Sequence, residues 1–262
     1  MAPASDASTN PIISISNLAK SFGGLQAVKK VDLKIYPGER HSIIGPNGAG
    51  KTTLFNMISG ELIPTAGSIR INDVDVTKMP SYKRVPLGLA RTFQVTNLFF
   101  DMSVLENVVL ALQGLSPAKF VMWKPMTSYK NVYNQAEHML KQFDVWDLRD
   151  ERVDCLSYGD QRLLEVILGL SSNPSILALD EPTAGLSSAE TEKMVSVLTK
   201  IDSGLTILLI EHDMRVAFAL TQSMTVLADG EIVARGTVEE IQGNKKVQEI
   251  YLGTGDKDDS GS

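Results

Sequence analysis

The chain has 262 residues, 43% of them apolar and 21% charged, a net charge of −6 and one cysteine. That length suits one large domain or two intimately joined subdomains, and the apolar share is enough for a full-sized core. The acidic balance leaves no electrostatic footprint for duplex DNA, so no nucleic-acid partner is expected. Cys155 has no second cysteine to pair with and is expected as a small buried or half-buried residue. The histidines, His41, His138 and His212, are too scattered for a zinc site. No stretch approaches ~18 uninterrupted apolar residues, and the N-terminus lacks a basic-then-apolar leader, so a cytosolic chain is expected whose membrane association comes through a partner.

Residues 1–10 and 253–262 are small and polar and are expected to be disordered. Between them, IISISN (12–17) and VDLKI (31–35) alternate apolar with polar, as half-exposed strands do. HSIIG (41–45) is a short apolar run entering a glycine turn, and KTTLFNMISG (51–60) has helical spacing that stops at Gly60. SIRI (68–71) reads as another strand. In the middle, SVLENVVLAL (103–112) opens with a capping box of Ser103 and Glu106. YKNVYNQAEHMLKQF (129–143) carries an apolar stripe at Val132, Ala136, Met139, Leu140 and Phe143. SILALD (175–180) and LTILLIE (205–211) are almost wholly apolar, and such strands separated by helices imply a parallel sheet covered on both faces.

GPNGAGKTT (45–53) matches the phosphate-loop spacing G-x-x-x-x-G-K-[ST] between an apolar strand and a helix. Gly45, Gly48 and Gly50 let the backbone around Pro46, Asn47 and Ala49 curl with its N–H groups inward, and the positive end of the next helix adds to the attraction for phosphate. Lys51 brings a charge to the β- and γ-phosphates, and Thr52, followed by Thr53, offers a hydroxyl to Mg²⁺. At the end of an apolar strand, Asp180 is placed to hold Mg²⁺, and Glu181 to orient or deprotonate the attacking water. A third element, LSYGDQRLLE (156–165), precedes that strand, and IEHD (210–213) follows it.

The order of phosphate loop, RTFQ (91–94), LSYGDQ, the Asp180–Glu181 pair and IEHD resembles the ATPase subunits of ABC transporters over residues 12–252. The resemblance implies an α/β fold: a P-loop NTPase, with a RecA-like parallel sheet core, an N-terminal antiparallel β subdomain and a helical signature subdomain. It implies one ATPase domain over 11–252, with the core and β subdomain at 11–93 and 162–252 and the helical subdomain at about 95–161. It implies ATP and Mg²⁺ as cofactors. Phe22 then stacks on adenine, with Val28 beside it. Gln94 senses Mg²⁺ and the γ-phosphate near the membrane partner. Ser157, Gly159 and Gln161 contact the nucleotide of the opposite subunit, and His212 bonds the γ-phosphate. Two departures stand out: Tyr158 replaces a glycine of the signature, and Ser187 stands where the loop after the carboxylate pair often carries aspartate.

Within that family, SFGGLQAV (21–28), RTFQVTNLF (91–99), LLIEHDM (208–214) and VQEIYLG (247–253) are similar to the ATPases of branched-chain amino acid importers. The resemblance implies a second ATPase subunit, identical or related, two transmembrane permease subunits and, indirectly, an external solute-binding protein. It places the chain on the cytoplasmic face of the membrane. Phe120, Val121, Met122 and Trp123, within an enlarged segment at 115–139, pack on the chain's own helices or dock the permease. The alternatives are a lipopolysaccharide-type exporter ATPase, a soluble ATPase of assembly or repair, and a binding module that has lost catalysis.

Overall fold

The computed structural model describes residues 10–92, 98–114 and 130–252. Strands β1 (Ile13–Phe22) and β2 (Leu25–Ile35) form a hairpin closed at Gly23 and Gly24, where Phe22 pairs with Leu25. Alternation sets their faces: Ile13, Ile15, Val31, Leu33 and Ile35 are buried, while Asp32 and Lys34 point out. Strands β4 (Ala66–Ile71) and β5 (Val74–Asp75) complete an antiparallel sheet in the order β2-β1-β4-β5.

The second sheet has the order β10-β9-β3-β8-β7-β6. Its strands are β3 (Arg40–Ile44), β6 (Leu89–Arg91), β7 (Ile176–Asp180), β8 (Thr206–Ile210), β9 (Ser223–Ala228) and β10 (Glu231–Thr237). All pairings are parallel except that of β10 with β9. Every residue of β3, β7 and β8 is buried, as their apolar runs require. Successive residues of β7 serve opposite faces. Leu177 and Leu179 join a core with α3 (Val104–Gly114), α4 (Lys130–Gln142), α5 (Tyr158–Leu170) and α6 (Ser188–Thr199), while Ile176 and Ala178 join one with β1, β2 and α1 (Lys51–Ser59). Each buried leucine or isoleucine among them contributes roughly 1.5–3 kcal/mol. A smaller cluster gathers Ile44, Val226 and α7 (Met214–Leu220) against α8 (Val238–Gln242) and α9 (Lys245–Leu252).

Parallel pairing brings the carboxyl ends of β3, β6, β7 and β8 to one edge, where open α/β sheets bind ligands. The helix after β3 is fixed from its far end. Arg84, in the short helix α2 (Ser81–Arg84), is 1% exposed and donates to the carbonyls of Met57, Ile58, Val76 and Met79. A cation there satisfies the unpaired carbonyls of α1 and suits its dipole, and burial pulls the guanidinium pKa down to about 10.

The expected elements form at the expected places, and the capping box does as well: Ser103 N–H donates to Glu106 (2.8 Å) and Glu106 N–H to Ser103 Oγ (3.2 Å). Cys155 is a correction. It is exposed, because the 3₁₀ turn at 153–155 gives its inward position to Val153. Gln94 and the cluster from Phe120 to Trp123 lie outside the described residues.

Candidate nucleotide site

The phosphate loop leaves β3 at Gly45, where φ is +151° and a Cβ would lie 2.0 Å from the Leu227 carbonyl oxygen. At Gly50 φ is +97°, and a Cβ would lie 2.4 Å from the Ala27 oxygen. Glycine is therefore required at both by sterics as well as by dihedral angle. Ala49 is buried and accepts a bond from Gly230 N–H, which anchors the loop on the β9–β10 turn. Asn47, Gly48 and Thr52 are exposed, and Pro46 and Thr53 half-buried. Lys51 is 6% exposed, and its ammonium donates to the carbonyls of Gly45 (2.7 Å) and Pro46 (3.0 Å). Burial lowers its pKa, against the pull of Glu181. Val28 is fully buried beneath Gly50, and Phe22 is exposed at the end of β1 with the Lys20 ammonium 5.2 Å from its ring centre.

Asp180 closes β7 with its carboxylate inside the protein. Oδ2 accepts from Arg91 at 3.3 Å, and Oδ1 has no hydrogen-bond partner among the described residues. Burial raises the Asp180 pKa, an effect partly offset by Arg91. Arg91 also donates to Ser59 Oγ at 2.6 Å and lies 4.8 Å from the centre of the Phe55 ring, so it ties β6 and β7 to α1. Glu181 is the next residue, with φ +47° and its N–H on the Ile210 carbonyl. A non-glycine residue in that region is strained, as happens at functional turns.

His212 follows β8 with a side chain 57% exposed. Beneath it, Glu211 is fully buried: one carboxylate oxygen accepts from Thr183 N–H (3.2 Å) and Oγ1 (2.7 Å), the other from His212 N–H (3.2 Å). Burial raises the Glu211 pKa against those bonds. Glu211 thus joins the turn after Glu181 to the turn carrying His212. His212 opens onto a cavity of about 580 Å³ lined also by Thr183, Gly185, Asp213 and Arg215.

The signature residues lie elsewhere. Ser157 caps α5, accepting from Asp160 N–H (3.1 Å) and donating to Asp160 Oδ2 (2.9 Å). Gly159 N–H donates to Glu190 (3.2 Å), and Gln161 donates to the carbonyls of Val153 and Leu156, bracing the turn before the helix. Ser157 and Gly159 line a cavity of about 190 Å³ with Leu163, Ala189, Glu190 and Lys193, and no phosphate-loop residue is among its walls. Lys51, Asp180, Glu181 and His212 come together at the sheet edge, whereas Ser157 and Gly159 belong to a separate surface. Arg91, Glu190 and Glu211 were not marked by sequence reasoning. Each is recognised through a partner distant in sequence.

A glycine loop at the carboxyl end of a buried parallel strand, followed by a helix and accompanied by an aspartate at the carboxyl end of β7 in the same sheet, defines a P-loop nucleotide-binding fold. A family model described as ABC transporter matches residues 28–184, and a second, described as branched-chain amino acid ATP-binding cassette transporter, matches 231–257. The chain is 36% identical to the high-affinity branched-chain amino acid transport ATP-binding protein BraF of Pseudomonas aeruginosa and 37% identical to LivG of Escherichia coli. Both alignments cover 94% of this chain and 99% of the relative. The lipopolysaccharide export system ATP-binding protein LptB of Escherichia coli is 31% identical, covering 92% and 97%. Among solved structures, an ATP-binding cassette of an ABC transporter in its ADP conformation superposes with a TM-score of 0.81 at 30% identity, covering 94% of this chain and all of the other. A dimeric cassette in a post-hydrolysis state with ADP and Pi superposes at 0.71 and 28%, covering 86% and 98%. The chain belongs to the ABC transporter ATP-binding family, a family of nucleotide-binding ATP hydrolases.

Proposed function

We propose that the chain is the ATP-hydrolysing subunit of an importer for branched-chain amino acids or a related small polar solute. It acts peripherally at the cytoplasmic face through two permease subunits, with an external binding protein delivering the solute. One observation carries this reading: the loop at 45–53, Asp180, Glu181 and His212 lie at the carboxyl ends of β3, β7 and β8, while Ser157 and Gly159 line a separate cavity, which supports reading the first set as one half of a nucleotide site. Two ATP-binding chains, identical or related, each supply the half the other lacks. The near full-length identity to BraF and LivG and the match at 231–257 support the importer branch.

Lys51 exchanges its two carbonyl acceptors for β- and γ-phosphate oxygens, which are charged and bond more strongly. The first N–H groups of α1 hold the same phosphates, and Phe22 stacks on the adenine with Val28 supporting that wall. The residues present fit a magnesium ion: Asp180 offers a buried carboxylate oxygen with no partner among the described residues, and Thr52 offers an exposed hydroxyl. Thr52, Asp180 and Gln94 would hold the ion, which would supply positive charge against the phosphates. Glu181 orients and deprotonates the attacking water, and His212 bonds the γ-phosphate. Ser157, Gly159 and Gln161 of the opposite subunit complete the site. Closure of the pair moves the helical part at about 95–161 and the groove near Gln94 against the core at 11–93 and 162–252, with the permease docked at that groove.

The test is to isolate the protein from membranes, identify what co-purifies, and measure which solute raises ATP hydrolysis in the reconstituted complex. Permease subunits and stimulation by a branched-chain amino acid are expected. Recovery solely from the soluble fraction, or with export subunits as for the relative LptB, refutes the importer assignment.

A further inference from the structure

Glu190 occupies the third position of α6, and its two oxygens do different things. Oε2 accepts from the N–H (3.0 Å) and hydroxyl (2.7 Å) of Ser187, forming the capping box of that helix. Oε1 accepts from the N–H of Gly159 at 3.2 Å, in the first turn of α5. The approach is close enough that a Cβ on Gly159 would lie 2.7 Å from the same oxygen. Hydrogen bonds from Ser187 first, and also from Gly159 and Ser157, hold the Glu190 carboxyl below its usual range, so it is an anion at neutral pH. The nearby cation does not cancel it, since the Lys193 ammonium sits on Asp160 at 2.7 Å. That Lys193–Asp160 pair also links the starts of α6 and α5 independently of Glu190, and the Tyr158 ring lies against Gly185 in the loop before α6.

A helix N-terminus attracts a carboxylate and a phosphate for the same reason, the unpaired N–H groups and the positive end of the dipole. We propose that Glu190 is an internal stand-in for phosphate: it occupies the Gly159 amide that the opposite subunit's ATP requires, and the ATP sandwich closes only when the Glu190–Gly159 bond breaks. This rests on the reading of Ser157 and Gly159 as the surface that meets the partner's nucleotide. Glu190 is then a positioning residue that sets the ATP concentration at which the pair closes. It also compensates for Ser187 standing where aspartate is usual, because a carboxylate still joins the loop after Glu181 to the signature.

Glu190→Gln separates this role from capping. Glutamine serves at the third position of a capping box, but it is neutral and has one accepting oxygen in place of two. In the assembled complex the KM for ATP should fall about tenfold, as expected when a competing charge-assisted bond is lost. Binding of a fluorescent ATP analogue to the isolated chain, which reads the phosphate loop alone, should not change. Hydrogen exchange at the Gly159 amide should accelerate in the variant. An unchanged or raised KM, or equal exchange at Gly159, overturns the proposal. A Ser157→Ala variant with an unchanged KM for ATP instead defeats the underlying reading of the signature surface.

Discussion

Arg91→Met removes the guanidinium that pairs with Asp180 at 3.3 Å, in a place where the two side chains are 10% and 0% exposed. Removing one member of a buried pair leaves the other charge uncompensated and costs about 3–5 kcal/mol. The bond to Ser59 adds about 1 kcal/mol, while methionine keeps part of the contact with Phe55. The expected loss is about 4 kcal/mol, a fall in Tm on the order of 10 °C for a chain of this size. Thermal unfolding without nucleotide or metal measures it. The pH dependence identifies the cause. Burial already raises the Asp180 pKa, and loss of Arg91 raises it further, so the stranded charge destabilises the fold most at high pH and the deficit shrinks as pH falls and Asp180 takes up a proton. Asp180→Asn in the Arg91→Met background should recover part of the loss. A loss under about 1 kcal/mol, or a deficit that does not vary with pH, refutes the assignment of Arg91 as resident counter-charge.

Lys51→Ala should abolish ATP binding in equilibrium titration while leaving the fold intact; unchanged affinity would remove the phosphate-loop role. Gly50→Ala should lower stability by about 1–3 kcal/mol from backbone strain alone, with the clash on the Ala27 carbonyl in addition, whereas Gly24→Ala, where a Cβ meets nothing within 4 Å, should be nearly neutral. Equal melting temperatures for the two contradict the steric account. Burial pushes the Glu39 pKa up, but bonds from His41, Ser223 and the Tyr36 N–H outweigh it and bring it down to about 2 from 4.5. A lowered acid pKa stabilises the fold above the unfolded value, and that contribution, about 3 kcal/mol, is lost as pH falls from 4.5 toward 2. Denaturant unfolding of Glu39→Gln should therefore show a deficit at pH 7 that narrows at pH 3, and a constant deficit counts against it.

What was legible in the sequence was what the backbone alone determines. The loop at 45–53 announces itself because its geometry admits only glycine at Gly45 and Gly50, and no distant residue is needed to read that. The buried strands at 176–180 and 206–210 show as apolar runs because both of their faces are covered. Glu211 was hidden for the opposite reason. A glutamate beside an exposed histidine looks solvated, and only the fold shows Thr183, 28 residues away, supplying its hydrogen bonds. Arg91 and Glu190 are alike in this: their partners Asp180 and Gly159 lie 89 and 31 residues off, and no local pattern encodes the meeting. Cys155 was misplaced because cysteine's usual burial was overridden by a turn whose inward position Val153 fills.

The central claim is that ATP is held between two chains and hydrolysed by water activated at Glu181. Glu181→Gln with ATP and Mg²⁺, followed by sedimentation of the purified ATPase pair and assay of phosphate release, tests it most directly. The account predicts a stable ATP-bound pair with phosphate release close to background. Parental turnover, or no association on adding ATP, contradicts it.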